Sequence, residues 1–231
     1  MRLLLEIIAT HLTDAITAAK SGADRLELSP GMSEEGLTPS YGLIDEVVHA
    51  VDIPVNVIIR PHSQSFCYDA NDIKTMVKDI HIAKKLGAAG IVIGTLKPNG
   101  EIDTEALKHL LEAADGLDVT FHRAFDFARD QSEALHVLSQ FPQVRRVLTS
   151  GGKQKAPQGV DNLNELLAQA KQTHVTIMAG HGLTLETFAA FIEKTAVREV
   201  HFGSGVRVGK AYHQPISRDT IKQIKKIMAD V

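Results

Sequence analysis

The chain has 231 residues, of which 44% are hydrophobic and 23% charged, enough to bury a sizeable core in one large domain. Lys and Arg total 25 against 28 acids, a net charge of −3, and no long basic run is present to follow a phosphate backbone, so a nucleic-acid partner is not expected. One cysteine, Cys67, excludes an internal disulfide and a thiolate metal cage.

The pattern then alternates between strand and helix periods. Residues 3–9 form an apolar strand, and 13–21 a helix stopped by Gly22. A second strand over 25–28 leads through a Gly-rich loop, 30–38, to a helix over 41–50. The β-branched run 54–60 is the third strand, followed after a loop to Tyr68 by a long amphipathic helix over 72–86. Strand four spans 90–94, and after the Pro98-Asn99-Gly100 turn a helix covers 103–114. The remaining pairs are strand 119–122 with helix 131–140, strand 144–149 with helix 162–171, strand 174–179 with helix 185–195, and strand 199–202 with a helix that Ser217 opens and that runs to Met228. Eight strands each followed by a helix, within about 250 residues, is the count of a closed (β/α)8 TIM barrel of the α/β class. No linker divides the chain, so residues 1–231 are expected to form a single barrel domain. No apolar run approaches the roughly 20 residues of a membrane span. The amino-terminal stretch carries Glu6 where a signal peptide would be apolar, and a cytoplasmic protein with no membrane partner is expected.

Strand parity carries the reading from fold to site. Alternate strand residues of a barrel face the helices or the interior. Leu5, Ile7, Leu26, Leu28, Val57, Ile59, Val119, Phe121, Val200 and Phe202 make an apolar outward set. Their neighbours, Glu6, Arg25, Glu27, Asn56, Arg60, Thr120, His122, Thr176, Glu199 and His201, then point inward. Unpaired buried charge costs several kcal/mol, so these groups must pair, reach solvent or serve a ligand. Arg25 and Glu199, early in their strands, suit an ion pair at the barrel bottom. Glu6, Glu27, Arg60, His122, Arg123 and His201, at strand ends, are the candidate catalytic set, because barrel enzymes hold their chemistry at the carboxyl face. Glycine loops follow strands six to eight. Thr149, Ser150, Gly151, Gly180, Gly182, Gly203, Ser204 and Arg207 are the candidates for binding a small anionic ligand, since glycine lets backbone N–H groups approach an anion. The same glycines also serve plain tight turns. No close-spaced metal signature is present. His122, His181 and His201 with Glu6 or Glu27 are able to ligate a divalent ion, but no metal ligand set is assigned.

The stretches Gly22-Ala23-Asp24-Arg25-Leu26-Glu27-Leu28, Glu35-Gly36-Leu37-Thr38-Pro39-Ser40-Tyr41-Gly42, Ile59-Arg60-Pro61, Thr120-Phe121-His122-Arg123-Ala124-Phe125-Asp126 and Leu148-Thr149-Ser150-Gly151-Gly152 resemble the CutC family of copper homeostasis proteins, in consistent order from Met1 to Arg207. The resemblance implies a (β/α)8 barrel, a cytoplasmic location, homo-oligomers and a link to copper tolerance or copper binding. It attaches no firm reaction. Two positions depart from the family pattern. Ser29 stands where many members carry cysteine, which removes the thiolate best suited to Cu(I). Gly180-His181-Gly182 stands where a run of glycines is usual. Three functions remain open: copper homeostasis, acid/base catalysis on a small anionic or phosphorylated substrate, and a barrel retained for partner binding.

Overall fold

A computed structural model of the protein describes residues 3–230. Eight parallel strands, β1 (Leu4–Ala9), β2 (Arg25–Leu28), β3 (Val55–Ile58), β4 (Gly90–Ile93), β5 (Asp118–Phe121), β6 (Val144–Thr149), β7 (Thr176–Gly180) and β8 (Glu199–Phe202), close in chain order into a barrel, with β8 paired back to β1. Around it lie α1 (Leu12–Ser21), α2 (Tyr41–Ala50), α3 (Ala70–Lys85), α4 (Thr104–Ala113), α5 (Gln131–Leu138), α6 (Val160–Ala170), α7 (Leu185–Lys194) and α8 (Arg218–Ala229). The expected (β/α)8 TIM barrel is present. Among the described residues no helix is long and apolar enough to cross a membrane.

Local chemistry sets the helix ends. Gly22 takes the left-handed conformation, φ 108°, that ends α1, and its N–H reaches the carbonyls of Ala18 and Ala19. Ser40, Asp103, Asp130 and Ser217 each accept a backbone N–H at the start of their helices. The third helix starts two residues before the expected position. Asp69 accepts the N–H groups of Asn71 and Asp72 while the Asp72 carboxylate accepts that of Asp69, a reciprocal cap that puts Asp72 inside the first turn.

The outward set is fully buried between sheet and helices, in one continuous apolar cluster. At roughly 25 cal/mol per Å² this layer is the main favourable contribution to folding. The inward face is asymmetric. On β4 it begins with glycine: a Cβ at Gly90 would lie 2.6 Å from the Asn56 amide oxygen, and one at Gly94 would lie 2.4 Å from the His122 ring. Glycine on this wall makes room for polar side chains from the strands on either side.

Candidate functional site

The barrel interior starts as an ion-pair layer. Arg25 bonds Glu6, reaches Glu199 at 2.5 Å and lies 3.3 Å from the Met178 sulfur. The expected Arg25–Glu199 pair is therefore present, and it is part of a larger network. Arg146, absent from the expected inward set, bonds Glu199 at 3.0 Å, the Thr120 hydroxyl at 3.0 Å and Asp118 at 2.7 Å. Parity along β6 was the available signal, because Val147 faces the helices and so turns Arg146 inward. Such a layer costs several kcal/mol to desolvate and survives because nearly every charge is paired.

Glu6 links this layer to the chemistry above. Its Oε1 lies 2.7 Å from His201 Nδ1, and His201 Nδ1 lies 3.8 Å from Glu27 Oε2. Burial alone would raise the Glu6 acid, but Arg25 and His201 outweigh it and hold the carboxyl ionised, well below the usual range. An ionised carboxylate only accepts, so His201 Nδ1 carries a proton and donates it. Burial opposes the His201 cation, yet its hydrogen bond to Glu6 and the charges of Glu27 and Glu6 raise its pKa. For Glu27 the balance falls the other way. Burial pushes it up to about 7, against the pull of His201, and its Oε2 has no hydrogen-bond partner.

Above this layer the strand ends and loops enclose a cavity of about 370 Å³. Five of the six candidate catalytic residues line it: Glu27, Arg60, His122, Arg123 and His201. Glu6 does not. It sits below, committed to Arg25 and His201, so its place is structural support for the site.

Arg60 is 4% exposed and forms no ion pair among the described residues. Its Nη1 donates to the carbonyls of Glu34 and Gly36, its guanidinium lies 5.0 Å from the Phe66 ring centroid, and its Nε has no partner. His122 caps the short helical turn after β5: its Nδ1 accepts the Ala124 N–H at 3.0 Å. The imidazole proton is thereby assigned to Nε2, which is buried and unpartnered. Burial and the neighbouring Arg60 push the His122 pKa down to about 3, so the ring is a neutral N–H donor at working pH. Arg123 leans on Asp126 at 2.9 Å and on His181 Nδ1 at 3.1 Å. Two rim residues, Glu35 and His181, hold left-handed backbone at φ 62° and 73°. The His181 conformation explains why glycine suits that position.

The expected anion loops divide. Gly182, Gly203 and Ser204 line the cavity. Thr149, Ser150 and Gly151 do not: their loop is turned onto the chain's own Asp126, which accepts from the Thr149 hydroxyl, from the Ser150 N–H and hydroxyl at 3.1 and 3.0 Å, and from the Gly152 N–H at 3.2 Å. These donors are already saturated by an internal carboxylate. Gly180 is also away from the cavity; a Cβ there would strike Leu148 at 2.6 Å, so the glycine serves packing. Arg207, 3% exposed, pairs with Asp14 of α1 and the carbonyl of Gln214, outside the cavity lining. Its reach back to α1 is a long-range pairing that no local pattern displays. Lys155 and Tyr212, not anticipated from the sequence, complete the wall.

A copper site needs a matching donor set. Glu6, Glu27 and His201 bring ligand atoms within 4.8 Å of one another. Yet Glu6 is already bonded by Arg25 and His201, and a cation there would face the Arg25 guanidinium. No thiolate joins them: Ser29 lines the cavity, Cys67 lies outside it, and Met32 is the soft donor at the wall. Hard oxygens beside a buried cation do not fit Cu(I).

Fold and site together define a (β/α)8 barrel with a polar, ligand-sized cavity at the carboxyl ends of its strands. A family model for the CutC family matches residues 3–206. The chain belongs to the CutC family. It is 41% identical over 211 residues to a CutC family protein of Pasteurella multocida (strain Pm70), covering 90% of this chain and 86% of that one. It is 43% identical over 200 residues to one of Histophilus somni (strain 2336), covering 87% and 82%. Among solved structures, a CutC protein from Streptococcus agalactiae, assigned provisionally by name to copper homeostasis, superposes with a TM-score of 0.81 at 33% identity over 87% of this chain and 98% of that one. Phosphoribosylanthranilate isomerase from Thermotoga maritima superposes at 0.65 with 14% identity, covering 99% of this chain and 100% of that one, a likeness of fold alone.

Proposed function

We propose that this chain binds a small anionic molecule in the mouth cavity and acts on it by proton transfer. One observation carries the reading: Arg60 is a buried cation in the cavity wall that forms no ion pair among the described residues and is held by backbone carbonyls instead. A bound anion would supply the pairing charge. Glu27, with a pKa near neutrality and an unpartnered oxygen, is the acid/base group of the same wall. A thermal-shift series with inorganic phosphate, phosphorylated metabolites and small carboxylates tests it. A ligand at 100 times its Kd adds about 2.7 kcal/mol, which raises Tm by about 5–10 °C for a chain of this size. Arg60→Met should abolish the shift, and indifference of the native protein to every anion refutes the reading.

Kinship with the Streptococcus agalactiae protein brings a second reading, a part in copper homeostasis, favoured by the Glu6, Glu27 and His201 cluster. The donor set argues against direct coordination of Cu(I). Titration with Cu(I) against a competing chelator decides it, and binding no tighter than the chelator removes direct coordination.

A further inference from the structure

The chemistry of the cavity is narrower than anion binding plus one carboxyl group. Glu27 comes from β2 and His122 from the end of β5, so the two enter a single cavity from well-separated strands of the ring. Each brings one buried polar atom that nothing in the described protein satisfies: a carboxyl oxygen on one side, an imidazole N–H on the other. Leaving a buried polar group unpartnered costs about 1–3 kcal/mol, so a pair of opposite character in one ligand-sized space is complementary to a molecule that offers both a donor or acidic hydrogen and an acceptor oxygen.

The imidazole is fixed with unusual completeness. The Ala124 N–H fixes its tautomer, Gly94 leaves the space in which the ring sits, and Phe66 packs against it at 5.0 Å between ring centroids. A histidine so held is a poor base, because its basic nitrogen is already occupied. What it offers is a preorganised neutral N–H donor, beside a guanidinium, where negative charge on oxygen would be stabilised.

Building on the anion-binding reading, we propose that the substrate is an anionic α-hydroxy carbonyl compound and that the reaction is its enolisation, with Glu27 as base and His122 Nε2–H with Arg60 as the oxyanion donors. Glu27 takes the proton from the carbon beside the carbonyl. The C–H electron pair becomes the C=C bond, and the carbonyl π pair moves onto oxygen, where His122 and Arg60 hold it. Glu27 then returns its proton to the same carbon, giving exchange, or to the former carbonyl carbon once a proton has passed between the two oxygens, giving isomerisation. No oxidant, reductant or co-reactant is required. A hydrolase with two working carboxylates fits less well, since Glu6 is consumed by Arg25 and His201 below the cavity.

The test is deuterium wash-in followed by proton NMR in D2O, with dihydroxyacetone phosphate, ribulose 5-phosphate and hydroxypyruvate as probes. At least one should exchange the hydrogen beside its carbonyl well above the buffer rate. Glu27→Gln should lower that rate by roughly 10²–10⁴-fold, the usual contribution of a positioned base, while the Tm shift from the same anion persists. Anions that bind without exchange overturn this inference and leave the binding reading intact; no anion binding overturns both. A readout independent of probe choice is the ¹⁵N spectrum of His122. It should show a protonated Nε2 and bare Nδ1 from about pH 6 to about pH 9, with Nε2 moving when the enediolate mimic phosphoglycolohydroxamate is added. A cationic or Nδ1-protonated ring refutes the assigned role, as does exchange that Glu27→Gln leaves unchanged.

Discussion

Replacing Glu27 by Gln puts the buried carboxyl to a quantitative test. In the unfolded chain the acid titrates near 4.5, and in the fold burial raises it to about 7. Below pH 4.5 both states are protonated and the group costs nothing. Between 4.5 and 7 the unfolded chain ionises while the folded one does not, so stability falls as pH rises; above 7 the loss is constant. At about 1.4 kcal/mol per pH unit the span corresponds to about 3 kcal/mol. His201 trims this, because the Glu27 carboxylate helps to keep its cation charged, and that stabilisation is lost only as pH rises through the elevated His201 value. Glutamine keeps the shape and cannot ionise. Urea unfolding of both proteins from about pH 4 to about pH 8 should therefore show Glu27→Gln gaining about 2–3 kcal/mol on the native chain across the range. Glu6, held ionised by Arg25, loses its stabilising contribution only as pH falls through its depressed value, in both proteins alike. A stability difference that stays flat between these limits would refute a raised Glu27 and, with it, the base assigned to the cavity.

Three further outcomes are expected. Gly94→Ala places a methyl 2.4 Å from the His122 ring, so the ring must leave the Ala124 N–H; a loss of about 1–3 kcal/mol in urea unfolding, with a changed His122 ¹⁵N signature, is the expected result. Arg25→Met removes one of the two cationic partners from each of Glu6 and Glu199, leaving His201 and Arg146, and should cost about 3 kcal/mol near neutral pH, with part of the loss recovered in the Arg25→Met/Glu6→Gln double variant. Asp126→Ala empties the donor cluster of Thr149, Ser150 and Gly152, so the variant should be destabilised by about 1.5–3 kcal/mol and should gain phosphate binding, read by calorimetry, that the native chain lacks at that loop.

Much of the cavity was legible because a strand has a period of two: once Leu26 and Leu28 face the helices, Glu27 must face the axis, and once Phe121 does, His122 stands at the rim. The expected pairing of Arg25 with Glu199 followed from the same rule. Parity does not say how far a side chain reaches. Arg146 obeys the alternation yet spans the interior to Glu199, and Glu6, expected at the mouth, is drawn down to Arg25. Glycine-rich loops carry a weaker signal still, since glycine that opens room for a ligand and glycine that merely turns the chain are the same residue.

The order of strands and helices, the closed ring they form and the burial of charge along its axis were determined by the sequence alone, because they rest on local periodicity and on the length of the chain. Tertiary structure decided which charges are spent and which are left for a ligand. Asp126 fills the loop after β6, Asp14 holds Arg207, and Glu6 holds His201, each through partners 23 to 195 residues away. Arg60, Glu27 and His122 are left with unanswered atoms in one cavity, a fact of distance and direction that emerges only once the barrel has closed.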